Sequence, residues 1–265
     1  MRRTLFSMLL LLLVCCSLFA QESAYEIMKR ARNLPEPRTT SETATLTIHS
    51  KKGKDRIRQV IMKSRDYGDV EKEVIVFTSP KDVAGVGYLM FDYEEKEDGS
   101  KKDSDSWLYM PAMKKTRRIA GSGSDSDNSF MGTDFTYGDM ENRSLSKDDY
   151  EYLGSELVDG VSCHRIRCTG HDRSEKDPDR IAYIGQDDYV LRRCEYFDRQ
   201  GSLHRVLTCY DIKQIDGYYI MCGMRMENVQ SGTYSFFEVS DIDLDDAKVE
   251  DSIFTVASLE RGIIR

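Results

Sequence analysis

The sequence predicts a mainly β fold of the α+β class, antiparallel, built as a barrel or a curved sheet. Three observations predict it. Short stretches of period-two alternation recur along the chain, joined by Gly/Asp turns. The βα alternation that builds a parallel sheet is absent. Helical periodicity is confined to one leading segment and two short stretches, near 137–144 and after Asp251.

The leading segment, 23–34, fits a helix. Ala24, Ile27, Met28, Ala31 and Leu34 share a face, Ser23 is a candidate cap, and Pro35 and Pro37 end it. From Thr39 the period becomes two: Ala44, Leu46 and Ile48 alternate with Thr43, Thr45 and Thr47. Strands follow at 56–63, 73–77 and 87–93, then a charged hairpin excursion at 94–106. Trp107-Leu108-Tyr109-Met110 is an aromatic strand and Pro111-Ala112-Met113 a turn. A basic strand, 114–119, leads to the polar loop 121–129. That loop ends in an apolar cluster, Phe130, Met131, Phe135 and Tyr137, so large apolar side chains flank it on both sides. Such a stretch suits a lid over an apolar opening; the plainer reading is a long loop whose ends tuck into the core. The second half reads as strands at 150–156, 162–169, 181–184, 189–197, 203–215, from Tyr218 through Met226, and 233–242. Asp216-Gly217 is a two-residue hairpin signal. On the strand after it, Tyr218, Ile220, Cys222, Met224 and Met226 are expected on one face.

Residues 1–20 read as a secretory signal. Met1-Arg2-Arg3 is a positive start, Leu5 to Val14 is nearly all apolar, and the run is shorter than the ~20 residues of a membrane-spanning helix. Two fates fit: cleavage after Ala20, or lipidation at Cys15 or Cys16. The protein is therefore expected in the periplasm, soluble or lipid-anchored. Residues 21–265 form a single domain, with no interdomain linker. Removing the signal takes away Arg2 and Arg3 and no acid, so the net charge moves from −8 to −10. That balance argues against nucleic acid as a partner.

No enzyme chemistry is expected. His49, His164, His171 and His204 lack zinc-site spacing, and no G-x-S-x-G elbow is present. Gly121-Ser122-Gly123-Ser124 lacks the lysine of a phosphate loop. The acidic runs 125–128 and 241–246 lack the glycine and glutamate that complete a calcium loop. Catalytic, metal and cofactor sites are thus all read as none. Five cysteines follow the signal, Cys163, Cys168, Cys194, Cys209 and Cys222. They are expected as buried thiols, with Cys209 and Cys222, on neighbouring strands, left as the pair able to bridge.

The chain is rich in Tyr, with 15, and in Met, with 12. Methionine and aromatic side chains serve adaptable apolar surfaces. Tyr88, Met90, Trp107, Tyr109, Phe130, Met131, Phe135, Tyr137, Tyr218, Met224 and Met226 are the candidates to line an acyl-chain cavity. Taken singly, each reads as ordinary core. Arg117 and Arg118 adjoin the polar loop and are the candidates to gate it, through backbone carbonyls or a lipid headgroup. A solvated basic strand face is the alternative.

The stretch W-L-Y-x-P-A-x-K-K-x-R-R-I-A, a polar loop, then S-F-M-G-x-D-F-T-Y-x-D-M resembles the outer membrane lipoprotein-sorting proteins. Ser79-Pro80-Lys81-Asp82-Val83-Ala84-Gly85 adds to the likeness. These proteins are similar to the LolA/LolB carriers. The resemblance implies a strongly curved antiparallel sheet or incomplete β-barrel, short helices as a lid, and an apolar cavity for acyl chains. It further implies lipid or lipoprotein acyl chains as partners, with an inner-membrane export system of the RND or ABC type. A surface interaction protein that reuses the fold without transported cargo is the other class of function the sequence accommodates.

Overall fold

The computed structural model describes residues 22–51 and 53–262. The expected signal, 1–20, with Cys15 and Cys16, lies outside the described residues. Helix α1 (Ala24–Arg32) forms where the periodicity predicts it. Ser23 Oγ accepts from the Glu26 N–H at 3.2 Å, and Ala24 and Ile27 are buried. Thirteen strands follow: β1 (Thr39–His49), β2 (Arg56–Asp66), β3 (Val70–Ser79), β4 (Gly87–Tyr93), β5 (Asp105–Met110), β6 (Lys115–Ala120), β7 (Asp148–Val158), β8 (Val161–Gly170), β9 (Asp179–Gly185), β10 (Leu191–Phe197), β11 (Leu203–Ile215), β12 (Tyr218–Asn228) and β13 (Thr233–Leu244). Helix α2 (Val256–Arg261) comes after β13. Among the described residues no helix is long and apolar enough to cross a membrane.

The strands form one sheet in the order β6-β5-β4-β3-β2-β1-β13-β12-β11-β10-β9-β8-β7. Two antiparallel meanders, β1–β6 and β7–β13, meet along β1 and β13. Strands β6 and β7 are consecutive in the chain yet lie at opposite edges. Residues 121–147, the crossing segment, must therefore pass from one edge to the other. Laid flat, those edges would stand roughly 60 Å apart at ordinary strand spacing. Yet the segment is compact, with three 3-10 turns (Gly123–Asp125, Gly138–Met140, Leu145–Lys147) and a bridge between Ser129 and Thr136. The sheet curls to bring its edges near. Just before entering β7, the segment is bonded to the β4–β5 hairpin: the Asn142 N–H donates to Asp92 Oδ2 at 2.9 Å, the Leu145 N–H to Glu95 Oε2 at 2.7 Å. Since β6 and β7 do not pair, the result is an incomplete barrel with the crossing segment over its open side.

Period two makes the inner face apolar. Ile166, Ala182, Cys194, Leu207 and Met226 are successive register partners across β8 to β12, and all are buried. Ala44, Val60 and Phe77 continue that face across β1 to β3. The crossing segment docks there through Phe130, Phe135 and Tyr137. Phe130 meets Tyr88 and Tyr137 edge-on, with ring centroids 5.4 and 5.5 Å apart. On the outer face, Val74, Val76 and Leu89 pack against Val249, Ile253, Phe254 and Leu259. Gly87 admits that packing, because a Cβ there would lie 2.5 Å from Leu259 Cδ1.

Two local expectations change. The helix read near 137–144 is only the 3-10 turn Gly138–Met140. Asp139 and Thr136 cap each other reciprocally, at 2.7 and 3.2 Å, and Glu141 is already extended. On β12, Met221 rather than Cys222 joins Met224 and Met226 against the inner core. Asp211, on the paired strand, has a φ of +49°, and such a left-handed residue breaks the period-two alternation. Next to it the Tyr210 ring lies on Gly223, where a Cβ would stand 2.3 Å from Tyr210 Cε2.

Candidate functional site

A cavity of about 630 Å³ lies between α1, the crossing segment, the 171–178 loop and the inner face of β8 to β11. Its size is that of a small-molecule site. The floor is apolar. Cys168, Ala182, Ile184, Leu191 and Cys194 come from the inward positions of β8 to β10, and Met28 and Ala31 come from α1 above them. Tyr150 and Tyr196 complete it. Burial pushes the Cys168 thiol up to about 12 and the Cys194 thiol up to about 11, so both serve as protonated, apolar wall. All five described cysteines are free and buried, so Cys209 and Cys222 do not bridge.

The wall facing the 171–178 loop is charged. Arg205 Nε donates to Asp177 Oδ2 at 2.8 Å, and its Nη1 donates to Asp139 Oδ2 at 2.5 Å and to the Asp134 carbonyl at 3.2 Å. Asp177 also holds His204 Nδ1 at 2.6 Å. Beside this group, Arg143 binds Asp148 through Nε and Nη2, both at 2.9 Å, and Glu175 through Nη1, also at 2.9 Å. Arg180 binds the other side of Asp148 at 2.5 Å. Charge-assisted, multidentate pairs of this kind fix geometry as well as charge. One network thus ties β11, β9, the 171–178 loop and the crossing segment together around the cavity. Four lining carboxylates stand outside it: the exposed Asp103 and Asp172, and two that are half-buried, Glu141, pushed up to about 7 by burial, and Asp127, also raised by burial. Among the described residues, no cluster of His, Cys, Asp and Glu has the geometry of a metal site.

The eleven residues expected to line an acyl-chain cavity fall elsewhere. Tyr88, Met90, Phe130, Phe135, Tyr137 and Met226 are buried in the inner-face core, with Met131 and Met224 packed at its margin. Trp107 and Tyr109 lie on the outer face with Phe254 and Leu259. Tyr218 is half-buried at the start of β12. The crossing segment brings its own aromatic plug, which fills the wall over β1 to β5 and leaves the open space beside it, over β8 to β11. Arg117 reaches that segment, with Nη2 2.8 Å from Asp125 Oδ1, whereas Arg118 pairs with Asp105. Both partners are carboxylates rather than backbone carbonyls.

The charged network had a signal in the sequence. Arg205 shares the inward face of Leu207 and Cys209, and Arg180 that of Ala182 and Ile184. An arginine at an inward position of an apolar strand requires a buried partner.

A family model described as an uncharacterized protein matches residues 69–261. No curated protein matches the chain. The solved structures similar to it include three that cover about nine tenths of the chain. A DUF1329 family protein from Desulfovibrio piger is 27% identical, covers 89% of this chain and 97% of its own, and has a TM-score of 0.79. An outer membrane lipoprotein-sorting protein domain from Vibrio parahaemolyticus is 25% identical over 90% and 98%, with a TM-score of 0.80. A LolA superfamily protein from Nitrosomonas europaea shares the fold at 19% identity over 89% and 99%, with a TM-score of 0.66.

Proposed function

Given that the chain belongs to the DUF1329 family and has the LolA-like fold, we propose that it is a periplasmic carrier of lipid or lipoprotein acyl chains. The observation that carries this reading is the cavity of about 630 Å³ whose floor is apolar and which the crossing segment and the 171–178 loop roof over. Each methylene buried there contributes about 0.8 kcal/mol, so a dozen contribute about 10 kcal/mol, a size that matches the loss of freedom on binding without any polar contact. No covalent step is required. The carrier works by keeping hydrocarbon from water between one membrane and the next.

The roof has an anchored half and a loose half. Residues 130–137 are fixed by Phe130, Phe135 and Tyr137, by Arg58 on the Met131 carbonyl, and by Asp134, which accepts from Ser235 Oγ at 2.7 Å. Residues 121–127 carry no buried side chain. Side-chain bonds from Arg117 to Asp125 and from Ser122 to Asp103 tether them. Opening at 121–127 exposes the cavity while the plug stays seated. An RND-type or ABC export system at the inner membrane is the donor this cycle calls for.

The test is native mass spectrometry of the protein purified without detergent, alongside uptake of a fluorescent fatty acid from vesicles. Lipid-sized adducts and saturable uptake are expected. A protein free of adducts that also leaves the probe in the vesicles ends the reading.

A further inference from the structure

The polar lining of the cavity is unbalanced in a way that bears on the ligand's head. It carries eight carboxylates against five cations. The three guanidiniums that reach the interior are already paired with carboxylates: Arg143 with Asp148 and Glu175, Arg180 with Asp148, Arg205 with Asp139 and Asp177. Of the other two cations, Arg32 faces Glu94 at 3.7 Å and Lys147 is exposed. An anionic head entering here would have to break a buried pair, leaving a carboxylate unmatched, or sit in an acidic field. Glu141 and Asp127 are in the opposite situation. Both line the cavity, neither is fully exposed, and neither makes an ion pair among the described residues. Asp127 accepts only from the Lys176 N–H, at 3.1 Å.

We propose that the cavity selects an amphiphile whose head bears an amine, with the ammonium on the carboxylates of Glu141 and Asp127, over one headed by a phosphate. This rests on the carrier reading and names its substrate class. The physical reason is charge matching in a partly desolvated space. An ammonium brings three donors and one positive charge to carboxylates that have no ion-pair partner among the described residues, and such charge-assisted bonds are about twice as strong as neutral ones. A phosphate brings acceptors to a wall already rich in acceptors.

The experiment measures dissociation constants by calorimetry, below micelle formation, for three probes with one chain and different heads: dodecylamine, dodecyl maltoside and dodecyl phosphate. Dodecylamine is expected to bind about tenfold or more tightly than dodecyl phosphate, with the maltoside between. In the double variant Glu141→Gln, Asp127→Asn that preference should shrink to about twofold or less, while the maltoside is unchanged. Equal affinity for all three, or tighter phosphate binding, overturns head selection and leaves the carrier reading standing. A preference that survives intact in the double variant overturns the assignment to these two carboxylates. Failure of all three to bind overturns both readings. The wild-type ranking decides head selection even where a variant fails to fold.

Discussion

Arg205 on β11 donates to Asp139 at 2.5 Å, joining the sheet to the segment that crosses its open side. The two residues are 66 apart in sequence and both are largely buried, with side chains 6% and 12% exposed. The same guanidinium holds Asp177 in the 171–178 loop at 2.8 Å, so one side chain keeps both roof elements over the floor.

Replacing Arg205 with Met should therefore do more than remove a charge. It leaves Asp139 buried without a cation and Asp177 with only His204, a loss of about 3–5 kcal/mol. Urea denaturation is the measurement. The variant Arg205→Met with Asp139→Asn should lose less than the two single variants together, because the pair is coupled. Strict additivity would mean that the contact is not formed in solution.

Phe130 plugs the inner wall at 2% exposure between Tyr88 and Tyr137. Phe130→Ala should cost about 3–5 kcal/mol, as for a large aromatic removed from a packed core. Fatty-acid binding should persist in the refolded fraction, because Phe130 does not line the cavity. Loss of binding with full stability would reverse the roles assigned to plug and floor.

Ala31 on α1 lines the cavity and is only half-buried. Ala31→Trp should fill the space under the helix and weaken dodecyl-chain binding about tenfold or more, with little change in Tm. Unchanged affinity would exclude this part of the cavity from the binding path.

Stability should fall as pH rises from about 5 to 8. Glu73 sits on the inner face of β3, where burial and its neighbours Glu71, Glu42 and Asp92 push its pKa from 4.5 up to about 8. Burial raises Glu71 and Glu42 to about 7. The folded chain thus binds protons that the unfolded chain has released, and ∂ΔG/∂pH of unfolding is negative between the two pKa values. Stabilisation is complete below about 4.5 and is lost as pH rises through 8. The urea midpoint should drop between about pH 5 and pH 8, and Glu73→Gln should flatten that slope. A midpoint that climbs over this range would contradict the burial of these carboxylates.

Much of the fold was legible from local pattern. The alternation of Ala44, Leu46 and Ile48 gave β1, Asp216-Gly217 gave the β11–β12 turn, and Ser23 capped α1 as its side chain suggests. The break at Cys222 was not legible, because it follows from the left-handed backbone of Asp211 on the neighbouring strand. The cavity was misplaced for a related reason. Large apolar side chains mark what is buried, and buried groups such as Phe130 and Tyr137 fill space instead of enclosing it. The floor that stays open has Cys168, Ala182 and Cys194 at its inward positions, small residues that leave volume unclaimed.

The order of residues alone determined where most strands lie, which face of a regular strand such as β1 is apolar, and that α1 must lay Ala24 and Ile27 on that face. These are properties of neighbours along the chain, and periods of two and 3.6 express them directly. Only the tertiary structure decided that β6 and β7 end at opposite edges, that residues 121–147 close the gap between them, and that Arg205 meets Asp139 there. Pairings between distant strands and the curl of a sheet are set by contacts far apart in sequence, which no local period encodes.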